Sequence, residues 1–196
     1  GAAGGSPPSR KTAGRQQKCA FPPTRFSKED ITMSNQPKIS QICFTTPKSF
    51  SPETSFGIYA SNGHITAITF SPPEFEQIFP EDMEVITEAK KQLSDYFTGK
   101  SKTFTLPLSL PKKGFYSQVW AHMLNVHYGE TCSYSDLALA AGSPKGMRAV
   151  GSACRNNPIP IIVPCHRVLG KNGSLTGYAG GIELKRALLR LEGVEV

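Results

Sequence analysis

Hydrophobic and polar residues alternate in the first part of the chain and follow a helical period further along. The alternation predicts three β-strands, at residues 42–45, 55–60 and 65–70. Asn62-Gly63 predicts a tight hairpin between the second and third strands, because this pair readily adopts the positive φ angles of a type I′ turn. Residues 82–97 carry apolar side chains at helical spacing, with Gly99 just beyond as a stop signal. This helix is predicted to cover one face of a small antiparallel sheet and to bury Val85, Ile86, Ala89, Leu93 and Phe97.

The second half of the chain has a mostly helical pattern. A short edge strand is predicted at residues 104–108 and a linker at Pro111–Gly114. Beyond the linker, the periodicity predicts four helices, at residues 117–126, 135–141, 144–156 and 182–192. The apolar sides of the first and the last of these helices consist of Val119, Trp120, Met123 and Leu124, and of Leu184, Leu188 and Leu191. These elements predict an α+β fold with an N-terminal α/β domain at residues 39–112 and a mostly helical C-terminal domain at residues 113–196.

The helices at 135–141 and 144–156 are a helix-turn-helix candidate. Gly142 ends the first helix, Ser143 can cap the second, and Pro144 suits its first position. The second helix combines small residues on one side with three cations: Gly146, Ala149, Gly151, Ser152 and Ala153, and Lys145, Arg148 and Arg155. Such a helix can approach a narrow groove of DNA while its cations meet phosphates. A tightly packed helix pair with a solvated basic face would show the same pattern, so the residues alone leave both interpretations open.

Cys165 is the strongest candidate for chemistry. It follows the apolar run Ile161–Val163, which predicts a short buried strand, and Pro164, which has no N–H to donate to a sheet. His166 and Arg167 come next, and an adjacent imidazole or guanidinium lowers the pKa of a thiol and favours the reactive thiolate. A buried cysteine that packs as a small hydrophobe is the structural alternative. The pattern predicts a nucleophile at a strand end, where a pocket can open.

Two features follow Cys165 in the chain. Residues 170–181 are rich in glycine and predict a loop able to cover a pocket. Glu192 stands at the end of the last predicted helix, where a carboxylate is unfavourable against the helix dipole. Orienting His166 would give Glu192 a role, since a catalytic base is often fixed by a third group. From the residues alone, a surface carboxylate is the simpler interpretation of Glu192.

Composition limits the class of protein. The chain has 196 residues with 38% hydrophobic content, enough for one ordinary domain or two small ones. No apolar run approaches the roughly 18 residues of a membrane span, and no hydrophobic leader segment stands near the start. Five cysteines without a Cys-x-x-Cys motif argue against a disulfide framework, and reduced thiols predict a nuclear location in a eukaryote or a cytoplasmic one otherwise.

The net charge of +7 is unevenly distributed. Residues 1–40 contain seven Lys or Arg against two acidic residues and therefore hold +5 of it. Residues 1–38 are also poor in apolar side chains, so they are predicted to be a disordered basic tail. A polyanionic partner is compatible with this charge, but the global value is weak evidence because a basic tail is as often a solvated arm.

Five segments of the second half are similar to one known family. They are Phe115–Tyr134 (FYSQVWAHMLNVHYGETCSY), Ser143–Pro158 (SPKGMRAVGSACRNNP), Val163–Val168 (VPCHRV), Gly177–Gly181 (GYAGG) and Lys185–Gly193 (KRALLRLEG). The family that they resemble is the O6-alkylguanine-DNA alkyltransferases, the methylated-DNA–protein-cysteine methyltransferases. The resemblance covers about the last 90 residues strongly and residues 41–112 in outline.

The resemblance implies DNA repair by direct reversal. The alkyl group of O6-alkylguanine, and of O4-alkylthymine, would pass irreversibly to Cys165 without a cofactor. Glu192 would orient His166, which would deprotonate Cys165 through a water molecule, and the thiolate would displace the base from the alkyl carbon in one in-line step. Because a thioether is not readily hydrolysed, each molecule would act once.

The resemblance also implies how DNA reaches the thiol. The second helix of the helix-turn-helix would enter the minor groove of double-stranded DNA, and Arg148 would insert into the base stack to support a flipped nucleotide. Tyr134 would rotate the phosphate and donate a proton toward guanine N3, while Asn157 would link the helix to the active site. Backbone groups of Cys165, Val168 and Ala179 would contact the guanine. The other DNA- or substrate-binding residues would be Ala149, Gly151, Ser152, Arg155, Pro160 and Tyr178. The protein would act as a monomer and would not bind membranes.

The sequence departs from the family pattern at two places. Some members bind zinc in the N-terminal domain, but here only Cys43 has a counterpart among the ligands, and Thr98 stands where a histidine would be needed, so no metal is predicted. Thr176 and Gly177 alter the loop over the site, which leaves the tolerance of bulky alkyl groups open, although Pro160 is present to pack against them.

Two other functions fit parts of the pattern. A module that binds flipped, alkylated bases without chemistry would resemble the alkyltransferase-like proteins, but those lack the cysteine that this chain has at Cys165. A cysteine hydrolase could use Cys165, His166 and Glu192 on an ester or amide. Such a hydrolase would turn over repeatedly, whereas an alkyltransferase would stop after one equivalent.

Overall fold

The predicted strands of the N-terminal part form one antiparallel sheet. A computed structural model describes residues 38–196, so all but the last residue of the predicted tail lies outside the described residues. The sheet has the order β1-β2-β3, with β1 at Ser40–Thr45, β2 at Ser55–Ser61 and β3 at His64–Thr69. Asn62 and Gly63 have φ angles of 52° and 70°, which confirms the predicted hairpin turn.

Helix α1 spans Met83–Phe97 and packs against the sheet. All five residues predicted as its buried face are buried, as are Gln92 and Tyr96. The buried carboxylate of Asp82 precedes the helix and accepts hydrogen bonds from Ser40 Oγ at 2.6 Å and from the backbone N–H of Gly63 at 2.7 Å. One side chain therefore ties the first strand, the hairpin turn and the start of the helix together.

The C-terminal part consists of four helices and one pair of two-residue strands. The helices are α2 at Phe115–Leu124, α3 at Tyr134–Ala140, α4 at Met147–Arg155 and α5 at Ile182–Leu191. Strand β4, Cys132–Ser133, pairs in parallel with β5, Val168–Leu169. The α+β class is as predicted, and no helix among residues 38–196 has the length and apolar character of a membrane span.

Three details of the predicted helices are corrected. Helix α4 begins at Met147 because residues 143–146 form a tight turn, in which the Gly146 N–H donates to the Ser143 carbonyl at 2.7 Å. Ser143 therefore makes no side-chain cap. Leu124 was predicted on the buried side of α2 but is 43% exposed, because α2 ends there.

Two predicted strands are wrong. Residues 104–108 make a single bridge to β3, formed by the bonds from Ile65 N to Pro107 O and from Ser109 N to Ile65 O, both 2.9 Å. Residues 161–163 are buried but form a turn in which Ile161 has a φ of 76° and Val163 N donates to Ile159 O at 2.9 Å. A short apolar run indicates that the segment is buried, but it does not distinguish a strand from a buried turn.

The N-terminal sheet contacts the segments that surround Cys165. The Ile68 N–H of β3 donates to the carbonyl of Pro158 at 2.9 Å, and the ring of Phe70 lies 5.4 Å from that of Tyr178. A Cβ at Gly180 would lie 2.7 Å from Phe70, so the approach requires glycine. Residues 38–196 pack as one compact unit, and the division at 112/113 stays a prediction.

Candidate active site and nucleic-acid interface

Cys165 is the first residue of a 3₁₀ turn, Cys165–Arg167, that follows Pro164. The cysteine is 5% exposed, and its Sγ accepts a hydrogen bond from Asn157 Nδ2 at 3.2 Å. Asn157 Nδ2 also donates to the carbonyl of Val163 at 2.7 Å, and its Oδ1 accepts from the Ile159 N–H at 3.1 Å. Because α4 ends at Arg155, Asn157 connects the end of that helix directly to the thiol.

The imidazole of His166 pairs with Glu192 inside the protein. His166 Nε2 lies 2.9 Å from Glu192 Oε1, and both side chains are fully buried. Arg167 donates to the same carboxylate through Nε at 2.9 Å to Oε2 and through Nη2 at 2.9 Å to Oε1. Burial raises the pKa of Glu192, but hydrogen bonds from His166 and Arg167 outweigh it and lower the pKa to about 2. The interpretation of Glu192 as a surface carboxylate is therefore wrong.

This pairing defines the tautomer of His166. An ionised carboxylate only accepts hydrogen bonds, so the proton of the neutral imidazole belongs on Nε2 and the lone pair on Nδ1. Nδ1 is buried and has no hydrogen-bond partner within residues 38–196. Burial lowers the pKa of His166 against the opposing effect of Glu192, so the ring is neutral near pH 7. Nδ1 is thus available as a buried general base.

The predicted lowering of the Cys165 pKa is wrong. Burial raises the pKa of Cys165 to about 11, and the hydrogen bond from Asn157 offsets this only in part. The physical reason is that His166 and Arg167 direct their N–H groups toward Glu192, so neither stabilises the thiolate at rest. The thiol is therefore protonated near neutral pH, and a nucleophilic reaction requires a base to remove its proton.

Lys185 is a buried cation close to the thiol that the sequence did not single out. It is 0% exposed on α5, and its Nζ donates to the carbonyl of Val168 at 2.6 Å. Its charge lowers the pKa of Cys165 in part, while burial lowers its own pKa. A lysine beside an apolar stripe is normally solvated, so the pattern of α5 contained no signal for this position.

The glycine-rich loop carries Tyr178 and contacts Tyr134 of α3. The hydroxyls of Tyr134 and Thr176 are 2.7 Å apart, which joins the start of α3 to the loop. The Tyr178 hydroxyl is buried without a partner among the described residues, and burial together with the charges of Cys165 and Glu192 raises its pKa. Ala179 follows on the exposed side of this loop. Thr176, which departs from the family pattern, therefore connects this loop to Tyr134 through its hydroxyl.

Helices α3 and α4 form the predicted helix-turn-helix. Ser133 caps α3 in a capping box with Asp136, and the Trp120 indole of α2 donates to the carbonyl of Ala153 at 2.9 Å. Val150 and Ala153 form the buried side of α4, so Ala153 is not part of the exposed small face. The outward side presents four exposed residues, Met147, Arg148, Ala149 and Arg155, and two half-buried ones, Gly151 and Ser152.

This outward side of α4 is suited to a polyanion. Arg148 and Arg155 make no ion pair with any acidic side chain of residues 38–196. Small residues between the two cations let a backbone approach closely. The helix ends two residues before Asn157, which contacts Sγ of Cys165. Fold and site therefore define a protein that couples a helix-turn-helix to a buried cysteine with its own base.

Nothing in the sequence indicated that Tyr96 contacts the His166–Glu192 pair. Its hydroxyl donates to Glu192 Oε1 at 2.6 Å and lies 3.5 Å from His166 Nε2. The residue belongs to α1, in the part of the chain that showed no sign of chemistry. Its spacing is that of a core residue, and no local pattern distinguishes a buried tyrosine that only packs from one that also donates to a buried histidine–glutamate pair.

The comparisons with known proteins agree with this architecture. The profile described as "6-O-methylguanine DNA methyltransferase, DNA binding domain" matches residues 114–194, and the corresponding ribonuclease-like domain matches residues 54–110. The constitutive methylated-DNA–protein-cysteine methyltransferase of Bacillus subtilis is 54% identical over 108 residues, 55% of this chain and 66% of that relative, just under two thirds. The methylated-DNA–protein-cysteine methyltransferase of Methanosarcina acetivorans is 49% identical over 113 residues, 58% of this chain and 72% of the relative.

Solved structures give the same result. The crystal structure of the Mycobacterium tuberculosis O6-methylguanine methyltransferase superposes with a TM-score of 0.63 at 37% identity, covering 79% of this chain and 93% of that one. A structure of the same mycobacterial protein in complex with DNA superposes equally well, with a TM-score of 0.63 at 38% identity, covering 76% of this chain and 91% of that one. The chain belongs to the 6-O-methylguanine DNA methyltransferase family, the methylated-DNA–protein-cysteine methyltransferases of DNA repair.

Proposed function

We propose that the protein removes alkyl groups from O6-alkylguanine, and from O4-alkylthymine, in double-stranded DNA by transferring them irreversibly to Cys165. One observation carries the proposal: Asn157 joins the end of the basic, small-faced helix α4 to a buried thiol that has the His166–Glu192 pair beside it. The family membership and the DNA complex of the mycobacterial relative support DNA as the substrate. A monomeric state and a nuclear or cytoplasmic location stay predictions from the sequence.

The outward side of α4 is the proposed DNA-binding surface. Its small residues allow the helix to enter the minor groove, and Lys145 and Arg155 meet phosphates. Cys165 is buried, so an alkylated base cannot react from within a duplex and has to be turned out of the stack. Arg148, exposed at the start of α4, takes the place of the flipped base. The flipped base then enters beneath the loop that carries Tyr178 and Ala179.

The chemical step uses one base, one nucleophile and one acid. His166 Nδ1 takes the proton of Cys165 through a water molecule, and the sulfur attacks the alkyl carbon in line with the bond to O6. The S–C bond forms while the C–O6 bond breaks, and the electron pair passes to the guanine, which gains a proton at N3 from Tyr134. Burial raises the pKa of Tyr134, and the bond with Thr176 lowers it in part, so the phenol still carries this proton at pH 7. The thioether product leaves no free thiol for a second cycle.

Incubation with an oligonucleotide that contains O6-methylguanine is expected to add one methyl group per molecule, on the peptide that contains Cys165. The Cys165→Ala variant should add none, because the nucleophile is absent. Cys43→Ala is the matched control, since Cys43 lies on β1, and it should react as the wild type does. Intact-mass measurement followed by peptide mapping checks each result.

The same measurement separates the other functions. A module that only binds damaged bases would bind the oligonucleotide without any change of mass. A cysteine hydrolase would release product from an ester or amide repeatedly, with more than one equivalent per molecule. Turnover, or a methyl group on another residue, would contradict the proposal.

The rate of methyl transfer is expected to fall on the acid side of neutrality. Burial lowers the folded-state pKa of His166 from its ordinary value of 6.5, so the acid limb should have its midpoint below pH 6.5. Above that midpoint the rate should stay level through pH 8, because the thiol, whose pKa burial raises to about 11, is deprotonated by His166 during the reaction. Single-turnover rates between pH 5 and 9 check this profile. A rate that rises tenfold per pH unit across neutrality would mean that free thiolate reacts without the base.

A further inference from the structure

The buried hydroxyl of Tyr96 reaches the His166–Glu192 pair from the N-terminal part of the protein. Tyr96 is 0% exposed on α1, and its hydroxyl donates to Glu192 Oε1 at 2.6 Å. His166 Nε2 lies 2.9 Å from the same oxygen. The strand and helix pattern of this part predicted only a scaffold, yet it supplies a donor to the carboxylate that holds the catalytic imidazole.

We propose that Tyr96 is a positioning residue for alkyl transfer, which fixes the Glu192 carboxylate and through it the orientation of His166. The inference rests on the proposed function of Cys165. A carboxylate can rotate about its terminal bond unless donors hold both oxygens. Here Oε1 accepts from Tyr96 at 2.6 Å and from Arg167 Nη2 at 2.9 Å, and Oε2 accepts from Arg167 Nε at 2.9 Å and from the Gly129 N–H at 3.3 Å. Tyr96 makes the shortest of these hydrogen bonds and approaches from a different element than Arg167 does. With these donors in place, Oε1 stays in line with Nε2 and the ring keeps Nδ1 free.

Tyr96 also changes how strongly the Glu192 carboxylate stabilises the protonated form of His166. By donating to Oε1 it withdraws part of the negative charge, so the imidazolium is stabilised less than it would be by Glu192 alone. Burial and the neighbouring Glu192 raise the pKa of Tyr96 well above its ordinary value, so the hydroxyl remains a donor at every pH used for assay. The other charged groups that act on the pKa of His166 or of Glu192 are Arg167 and Lys185, and the charge of Glu192 in turn raises the pKa of Tyr128 and of Tyr178.

The ring of Tyr96 is held separately from its hydroxyl. It lies 5.4 Å from the ring of Phe97, 5.2 Å from that of Phe104 and 6.0 Å from that of Tyr128. Replacement by phenylalanine therefore keeps the aromatic packing and removes the donor alone. Tyr128 offers a matched control because its hydroxyl donates to the backbone carbonyl of Leu191 at 2.6 Å and not to the carboxylate of the neighbouring Glu192.

The test compares Tyr96→Phe and Tyr128→Phe with the wild type in single-turnover transfer from O6-methylguanine DNA. For Tyr96→Phe we expect a maximal rate about tenfold lower, which corresponds to about 1.4 kcal/mol in the barrier. We also expect the midpoint of its acid limb to move to higher pH, since a carboxylate without Tyr96 stabilises the imidazolium more. DNA affinity and the unfolding temperature should stay close to those of Tyr128→Phe, and Tyr128→Phe should keep the wild-type rate and midpoint.

The outcomes are distinct. A slower Tyr96→Phe with a raised midpoint, beside an unchanged Tyr128→Phe, supports the positioning role. Equal rates in all three proteins, or a loss of rate without movement of the midpoint, overturns it, because a purely structural tyrosine would not change the titration of His166. If the wild type itself transfers no methyl group, the proposed function fails first, and that result is visible before any variant is compared.

Discussion

Replacing Glu192 with glutamine is expected to slow methyl transfer to Cys165 by about 10³- to 10⁴-fold, the scale seen when the group that orients a catalytic histidine loses its charge. Glu192 Oε1 lies 2.9 Å from His166 Nε2 and requires the proton on that nitrogen. An amide could instead present its NH₂ group to Nε2 and favour the tautomer that carries the proton on Nδ1. The base would then be protonated on the side where it has to accept a proton. Rapid-quench measurement of methylated Cys165 checks the rate.

The same substitution should also destabilise the fold. Arg167 is buried and donates to both oxygens of Glu192, so the variant leaves its guanidinium without an anionic partner. Removing one member of a buried ion pair typically costs about 3–5 kcal/mol in the free energy of unfolding. Chemical denaturation of the variant measures this loss.

Glu183→Gln is the matched control, since Glu183 lies on α5, which ends just before Glu192, and its side chain, paired with Arg186, is 79% exposed. We expect this control to keep the wild-type rate and stability, because an exposed ion pair contributes little. If Glu192→Gln transferred methyl groups as fast as Glu183→Gln, His166 would not depend on Glu192. The assignment of the base would then have to change.

Replacing Arg148 with alanine is expected to lower the repair rate on duplex DNA by about 100-fold, because turning a base out of the stack costs a few kcal/mol that the arginine no longer offsets. Free O6-alkylguanine needs no flipping, so its reaction with Cys165 should be unchanged. Arg148 is exposed at the start of α4 and contacts no acidic side chain of residues 38–196, so the substitution should leave the fold intact. Parallel assays with an alkylated duplex and with the free base check the difference.

Arg155→Ala is the comparison on the same helix. A residue that contacts only phosphate should weaken binding to all duplexes alike and reduce the slope of log affinity against log salt by about 1. Arg155→Ala should therefore affect binding more than the transfer step. Equal losses for Arg148→Ala on the duplex and on the free base would contradict the flipping role of Arg148.

Local patterns predicted several elements correctly, because each depended on neighbours in the chain. The turn at Asn62-Gly63 follows from the φ preferences of two residues, and the buried face of α1 follows from helical spacing. The short motif Cys165-His166 likewise predicted a reactive centre from adjacent residues, and that assignment stays a prediction. Where the predictions were wrong, at residues 161–163 and at the start of α4, burial or a tight turn overrode the local preference.

The chain order alone therefore predicted an α+β protein with a helix-turn-helix, and the resemblance of its motifs to the alkyltransferases predicted a centre at Cys165 and His166. The electrostatic state of that centre came only from long-range packing. Glu192 lies 26 residues from His166 in the chain, and Tyr96 lies 70 residues from it. In the fold, His166 and Tyr96 contact the same oxygen of Glu192, Oε1. Burial then raises the pKa of Cys165 to about 11, the opposite of the lowering that its neighbours in the chain suggest. Desolvation and hydrogen-bond geometry depend on which distant segments pack together, so no local pattern contains them.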